Sequence, residues 1–223
     1  MADIFHSVIP DAYLHEPKGV ASAAANTVYL ADGAGSGAWT SLASSIFPVV
    51  TTYWNQVFIP ANRIRLPGAA TDPGVDTDGN TLLFDASTNE IVFEHVELPR
   101  DRLDGTDVRF YVYWAKTTSA SGDVAWDLDY KINAIAGVIS GTWQSLASAV
   151  ATPLSTDADT AEQVLLTYLD FLDTSTLSNG DLIQLRLTRN ATDSGDTYAS
   201  DCRMLGILMT YNIANPGTTV EFT

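Results

Sequence analysis

Hydrophobic and polar residues alternate along much of the chain after about residue 51, with the two-residue period of a β-strand. In the run 124–133, Val, Trp, Leu, Tyr and Ile occupy the even positions, and mainly polar residues occupy the odd positions. Residues 182–189 alternate in the same way, with Ile183, Leu185 and Leu187 on one face. Both patterns are typical of a strand that buries one face and exposes the other.

Turn-forming pairs such as Asp104-Gly105 and Asn179-Gly180 separate the alternating runs. The pattern predicts strands at about 56–60, 63–66, 82–85, 91–98, 107–117, 124–133, 163–171, 182–189 and 203–213. Strands so frequent and so short indicate an all-β fold, an antiparallel jelly-roll sandwich.

The pattern is ambiguous in two places. Residues 157–172 contain possible helix caps, but the β-branched and aromatic residues of 163–171 favour a strand. In 91–98, the apolar positions are 91 and 93 and then 96 and 98, so the phase changes by one residue. This change predicts a β-bulge near Glu94 or His95.

Strands 108–114 and 204–211 carry apolar residues on both faces. A sandwich strand needs cover on one face only, so another surface must cover the second. We expect an identical subunit to do so in a closed threefold assembly. The alternative is an internal cover, with residues 134–155 folded back over the sheet. The predicted trimer interface comprises Arg109, Tyr111, Tyr113, Met204 and Leu208.

Residues 1–50 differ in composition from the rest of the chain. They are rich in Ala, Ser and Gly, and their short apolar groups form no sustained core pattern. Ordering such a segment alone costs about 1–2 kcal/mol per residue, more than its apolar groups recover on burial. We therefore expect an extended N-terminal anchor that docks on another protein, a head domain at 51–215 and a C-terminal tail at 216–223. A flexible leader is the alternative for residues 1–50.

A short sequence occurs twice. Residues 37–44 and 141–148 agree at six of eight positions, including Trp39 and Trp143. Each copy is predicted to be an exposed connector that its Trp holds in place.

The charge excludes one class of partner. The chain has 27 acidic and 11 basic residues and a net charge of −16, so phosphate-driven binding of nucleic acid is excluded. No run of 18 apolar residues predicts a membrane helix, and the first ten residues lack the pattern of a secretory signal. The single cysteine, Cys202, is expected to be a small buried residue.

The sequence contains only weak candidates for catalytic or metal-binding groups. Asp127 and Asp129 share a strand face, which suits either a paired-carboxylate hydrolase or, more simply, a solvated face. The acidic segment 72–80 partly matches a calcium loop, but Gly74 and Asp85 occupy two positions that need strong ligands. A turn is the better interpretation of that segment. We therefore expect no enzyme activity, no metal and no cofactor.

Five segments of the second part of the chain form a recognisable combination: VELP at 96–99, VRFYVYW at 108–114, GDLIQLRLTRN at 180–190, DTYASD at 196–201 and LGI at 205–207. This combination resembles the trimeric jelly-roll modules of fibre and head-fibre proteins of tailed bacteriophages. The N-terminal stretches 15–20 and 26–37 resemble the short virion-anchoring leaders of such proteins.

The resemblance implies a non-enzymatic structural protein of the virion, assembled in the host cytoplasm. It implies a homotrimeric head fibre or capsid decoration protein, held to a capsid, tail or collar protein by its N-terminal segment. A tail or collar fibre that binds a host receptor or bacterial surface glycan is the alternative. The anchoring contacts are expected at Tyr13, Leu14, His15, Glu16, Pro17, Lys18, Gly19, Val20 and Trp39.

Overall fold

The structure is a computed structural model that describes residues 27–31, 37–41, 53–76, 80–134, 137, 141–152, 160–174 and 177–213. The chain divides into two compact units, residues 1–51 and 52–223. No helix in the described residues is long and apolar enough to cross a membrane.

The described part of the first unit is a two-stranded antiparallel hairpin of β1 (Thr27–Ala31) and β2 (Gly37–Ser41). Tyr29 pairs with Trp39, and their rings meet edge to face with centroids 5.5 Å apart. The sequence predicted an extended segment here, and in the described residues two extended strands pair with one another. Tyr29 and Trp39, which were each expected to contact a partner protein, are in contact with one another.

The described part of the second unit contains ten strands and one turn of 3-10 helix at Ala61–Arg63. The strands are β3 (Tyr53–Pro60), β4 (Gly74–Val75), β5 (Leu82–Phe84), β6 (Glu90–Glu97), β7 (Val108–Lys116), β8 (Val124–Asn133), β9 (Gln144–Ala151), β10 (Val164–Leu172), β11 (Leu182–Arg189) and β12 (Cys202–Ile213).

These strands form two antiparallel sheets. In sheet I, β10, β7 and β12 lie side by side, and the far edge of β12 pairs with β3 along 206–213 and with β5 along 202–204. The short strand β4 extends β5. In sheet II the order is β6, β11, β8 and β9.

The pairing is nested along the chain. β3 pairs with β12, β6 with β11, β7 with β10, and β8 with β9, so each pair encloses the next in sequence. A long hairpin that is rolled into two sheets has this order, and it is the topology of a jelly roll. The prediction of an all-β antiparallel jelly roll is confirmed.

The core lies between the inner faces of the two sheets. Trp126 stands near its centre, with ring centroids 5.2 Å from Phe84 and 6.3 Å from Trp114. The alternating residues of β7, β8 and β11 surround it at 0–1% exposure: Val108, Phe110, Val112, Val124, Leu128, Ile183, Leu185 and Leu187. Aromatic pairs in this geometry add to the stabilisation that burial of apolar area gives.

Arg189 ends β11 inside the protein, with no exposed side-chain surface. Its guanidinium forms two hydrogen bonds with Asp196, at 3.0 and 2.9 Å. It also donates to the carbonyl oxygens of Phe84, Ser200 and Tyr198. All five N–H donors therefore have acceptors, which is the condition for burying this charge.

Two predictions, the strand at 63–66 and the bulge in 91–98, are wrong. Residues 63–66 were predicted as a strand, but Arg63 ends the 3-10 turn and Arg65 forms an isolated bridge to Phe93. The bulge predicted in 91–98 is absent from the pairing of β6 with β11, which is continuous. The phase changes there because Phe93 is half-buried on the outer side of the sheet, where its ring lies 5.7 Å from that of Trp143.

Two further predictions concern the cover of sheet I and the environment of Cys202. The internal cover was expected from residues 134–155; of these, the described residues 144–151 form β9 at the edge of sheet II rather than a cover over sheet I. The prediction for Cys202 is confirmed, since it is a free and fully buried thiol. Burial raises the pKa of this thiol to about 12, so it stays protonated near neutral pH.

Candidate functional site

The outer surface of sheet I carries a continuous group of large apolar side chains, here called the apolar face: Phe58, Tyr111, Tyr113, Leu166, Tyr168 and Leu208. The strand register places Phe58, Leu208, Tyr111 and Tyr168 side by side across four strands. The rings of Tyr111 and Tyr168 are 5.2 Å apart, and those of Phe58 and Tyr113 are 5.6 Å apart.

Much of the apolar face is open to solvent. Phe58 is 48% exposed, Leu166 48% and Tyr168 45%. Burial, followed by the nearby Asp170, raises the pKa of Tyr168 and keeps its phenol neutral. Arg109 borders the face, with its guanidinium carbon 4.7 Å from the ring centre of Trp54. Large exposed apolar patches of this kind mark interaction surfaces.

The structure places four of the five predicted interface residues on the outer side of sheet I, namely Arg109, Tyr111, Tyr113 and Leu208, of which Leu208 is only 6% exposed. Met204 was expected there and is instead fully buried in the core. The register between β12 and β7 shifts between Met204 and Gly206, so even-numbered residues face inward before the shift and outward after it. A bulge of this kind defeats a strict two-residue pattern.

Sequence reasoning missed Phe58, Leu166 and Tyr168 as members of this surface. A usable pattern was present in β10, where Val164, Leu166 and Tyr168 occupy alternate positions and are all exposed. No local sequence pattern indicated that β3 pairs with β12, because these two strands are about 150 residues apart in the sequence.

The outer surface of sheet II carries a pocket of about 260 Å³, here called the Trp143 pocket. Phe93 and His95 of β6 and Gln184 of β11 line it, together with Arg65, Pro67, Trp143 and Leu185. Two backbone hydrogen bonds between Arg65 and Phe93, at 3.0 and 2.9 Å, hold the Arg65 segment against β6. His95 and Gln184 are direct cross-strand neighbours.

Cations support the indole of Trp143. Lys131 Nζ lies 4.7 Å and the Arg186 guanidinium carbon 5.0 Å from the ring centre. Arg186 in turn forms an ion pair with Asp129 at 2.6 Å. These cation–π contacts fix the orientation of the indole beside the pocket.

Three polar side chains line the pocket: Arg65, His95 and Gln184. Within the described part of the chain, the side chains of Arg65, His95 and Gln184 form no hydrogen bond. They offer guanidinium, imidazole and amide groups toward one space that an aromatic ring borders. Of these residues, sequence reasoning singled out only Trp143, through the repeated segment, because the others come from three separate parts of the chain.

The acidic candidates have structural partners. Asp129 binds Arg186, and Asp127 accepts a hydrogen bond of 2.8 Å from the Asn190 amide. In segment 72–80, Asp72 accepts hydrogen bonds from Gly68 and Ala69, and Asp76 forms an ion pair with Arg203 at 2.8 Å. Residues 77–79 lie outside the described part, and the described residues contain no group of three or more metal-ligating side chains.

The expected anchoring residues at 13–20 lie outside the described residues. Trp39 is described, and it belongs to β2 of the N-terminal hairpin, where it contacts Tyr29.

No protein-family model and no curated protein matches the sequence. Among solved structures, the chain is similar to a CBM22-2 xylan-binding domain from Paenibacillus barcinonensis Xyn10C, at 11% identity and a TM-score of 0.39, over 70% of this chain and 98% of that one. It is similar to a family 35 carbohydrate-binding module from Clostridium thermocellum, at 14% identity and a TM-score of 0.37, over 70% and 97%. It is also similar to a structure of infectious bursal disease virus, Gx strain, at 10% identity and a TM-score of 0.35, over 81% of this chain and 35% of that one. Scores this low assign neither a family nor a function.

Proposed function

We propose that the protein is a non-enzymatic structural component of a tailed-bacteriophage particle, a head fibre or capsid decoration protein. In this proposal three copies associate through the apolar face, and the N-terminal segment attaches the trimer to the particle. The resemblance of the sequence to phage fibre proteins supports the location and the number of copies.

The apolar face is the observation that carries the proposal. Interface centres are depleted in charge and enriched in aromatic residues, as this face is with Phe58, Tyr111, Tyr113 and Tyr168. Exposed apolar surface has a free-energy cost of about 25 cal/mol per Å², which association of copies removes. Rotational symmetry places the same face of every copy at one shared axis.

Strand β10 adds a second reason for association. It is an edge strand that pairs with β7 on one side and with no described strand on the other. Its exposed residues Val164, Leu166, Tyr168 and Phe171 make it an apolar edge, which invites uncontrolled pairing unless it is covered. A defined neighbour subunit provides that cover.

Light scattering of the purified protein tests the assembly. We expect a mass of three times 24.0 kDa for the natural sequence. The variant Leu166→Lys places a charge on the apolar face, so we expect it to dissociate into monomers. Val150→Lys is the matched control, because Val150 is 47% exposed against 48% for Leu166 but belongs to β9 of sheet II.

A monomer of the natural sequence at micromolar concentration would contradict the proposal. So would a Leu166→Lys protein that keeps the full mass, because the association would then use another surface. Circular dichroism of both variants establishes that the β fold is retained.

A further inference from the structure

We propose that the Trp143 pocket binds a sugar ring that carries a carboxylate, as in an acidic saccharide. The inference goes beyond the structural role and uses the opposite sheet from the apolar face. It depends on the shape, the aromatic surface and the charge of the pocket.

The size of the pocket limits the bound group to about one ring. Sites for drug-sized ligands have volumes of roughly 300–1,000 Å³. The Trp143 pocket measures about 260 Å³. A single pyranose ring, with the rest of the chain in solvent, fits an opening of this kind on a sheet surface.

The lining combines a flat apolar surface with polar groups. The rings of Trp143 and Phe93 lie 5.7 Å apart, tilted by 32°, and both residues line the pocket. A pyranose has C–H groups on its ring faces and hydroxyl groups around its edge. Such a ligand packs on the aromatic walls while its edge contacts the Gln184 amide and the His95 imidazole.

The charge of the pocket selects an acidic ring over a neutral one. Arg65, Lys131 and Arg186 are three of the eleven basic residues in a chain of net charge −16, and all three border this pocket or its indole. Asp129 compensates Arg186, whereas none of the described residues that line the pocket is acidic. The planar guanidinium of Arg65 suits the two oxygens of a carboxylate.

Inorganic phosphate offers a charge to Arg65 but has no ring faces to pack on the aromatic side chains, so we expect it to bind more weakly than an acidic saccharide. The attraction acts between the ligand carboxylate and solvent-accessible basic side chains at the pocket, so we expect binding to weaken as the salt concentration rises.

Isothermal titration calorimetry on the full chain tests the inference with three probes: trigalacturonate, the neutral maltotriose and inorganic phosphate. We expect trigalacturonate to bind at least about tenfold more tightly than either of the others, which corresponds to about 1.4 kcal/mol. Raising the salt concentration from 50 to 500 mM is expected to reduce the affinity for trigalacturonate.

Variants locate the binding site. We expect Arg65→Gln to weaken trigalacturonate binding about tenfold, as loss of a charged hydrogen-bonding group does. Trp143→Ala should abolish binding, whereas Trp143→Phe retains an aromatic wall and should bind measurably. The controls are Arg63→Gln, an exposed arginine two residues from Arg65, and Trp54→Ala on sheet I, and both should bind as the natural protein does.

Equal affinity for maltotriose and trigalacturonate would overturn the selection for an acidic ring. Absence of trigalacturonate binding, or equal loss in Arg63→Gln and Arg65→Gln, would overturn the site. The mass of each variant by light scattering is measured in the same samples. A loss of saccharide binding can therefore be distinguished from a loss of trimer formation.

Discussion

At the scale of single residues, Arg189 and Asp196 form a buried ion pair, which the fold can hold only by satisfying its hydrogen bonds. Both side chains are buried, at 0% and 1% exposure, and Asp196 also accepts a hydrogen bond from the Ala125 backbone. The pair therefore ties the loop after β11 to the start of β8. The pair is tolerated in the core because every N–H donor of Arg189 has an acceptor, whereas a buried charge without partners is strongly destabilising.

We predict that Asp196→Asn lowers the free energy of unfolding by about 3–5 kcal/mol, because it leaves Arg189 buried and uncompensated. Denaturant unfolding followed by circular dichroism measures the change. Glu97→Gln is the control: its pair with Arg100 is about half exposed on both sides, so a loss below about 1 kcal/mol is expected. Similar losses in the two variants would show that the buried pair is not critical.

At the scale of elements, β12 organises sheet I. It pairs with β7 along one edge and with β3 and β5 along the other. Gly206 lies just after its register shift, where a Cβ atom would stand 2.5 Å from the carbonyl oxygen of Ile59 and 2.7 Å from the ring of Phe58. The missing side chain is what lets Phe58 lie across β12 and reach Tyr113.

We predict that Gly206→Ala destabilises the protein by about 1–3 kcal/mol, because β3 must move away from β12. It should also weaken association, since Phe58 belongs to the apolar face. Gly74→Ala is the matched control in another strand, where a Cβ atom would make ordinary contacts of 3.6 and 3.7 Å. Thermal unfolding and light scattering measure the two effects, and an unchanged melting temperature for Gly206→Ala would refute this account of the glycine.

Alternation predicted the elements that bury one face against a large core. The strands 124–133 and 182–189 were predicted with the bounds that they have in the structure. β9 was missed because its sequence, QSLASAVA, consists of small residues with little contrast between its faces. Edge strands depend on pairing with a neighbour more than on their own burial, so a local pattern carries less information about them.

The candidate sites were less accessible to sequence reasoning than the strands. The two-sided strands revealed much of the apolar face, but the register shift beside Gly206 misplaced Met204. The Trp143 pocket joins Arg65, His95, Trp143 and Gln184, and only the nested strand order brings them together. A local hydrophobic pattern does not show which distant strands pair with each other.

At the scale of the whole molecule, the jelly roll and the N-terminal residues are separate compact units, which suits separate tasks. We predict that deletion of residues 1–45 leaves the second unit folded and trimeric but prevents its incorporation into phage particles. Circular dichroism and light scattering measure the first outcome, and co-sedimentation with particles measures the second. Normal incorporation of the shortened chain would refute the attachment role of the N-terminal segment.

The nested order of the strands also fixes where foreign sequence is best displayed. Because Tyr53 pairs with Ile213, the chain enters and leaves the jelly roll at the same end of sheet I. The turn between β7 and β8 lies at the opposite end, since Lys116 pairs with Cys202 at the start of β12. A peptide epitope inserted at the exposed Ser119 would therefore project away from the entry point of the chain, whereas a fusion after Ile213 would emerge beside it.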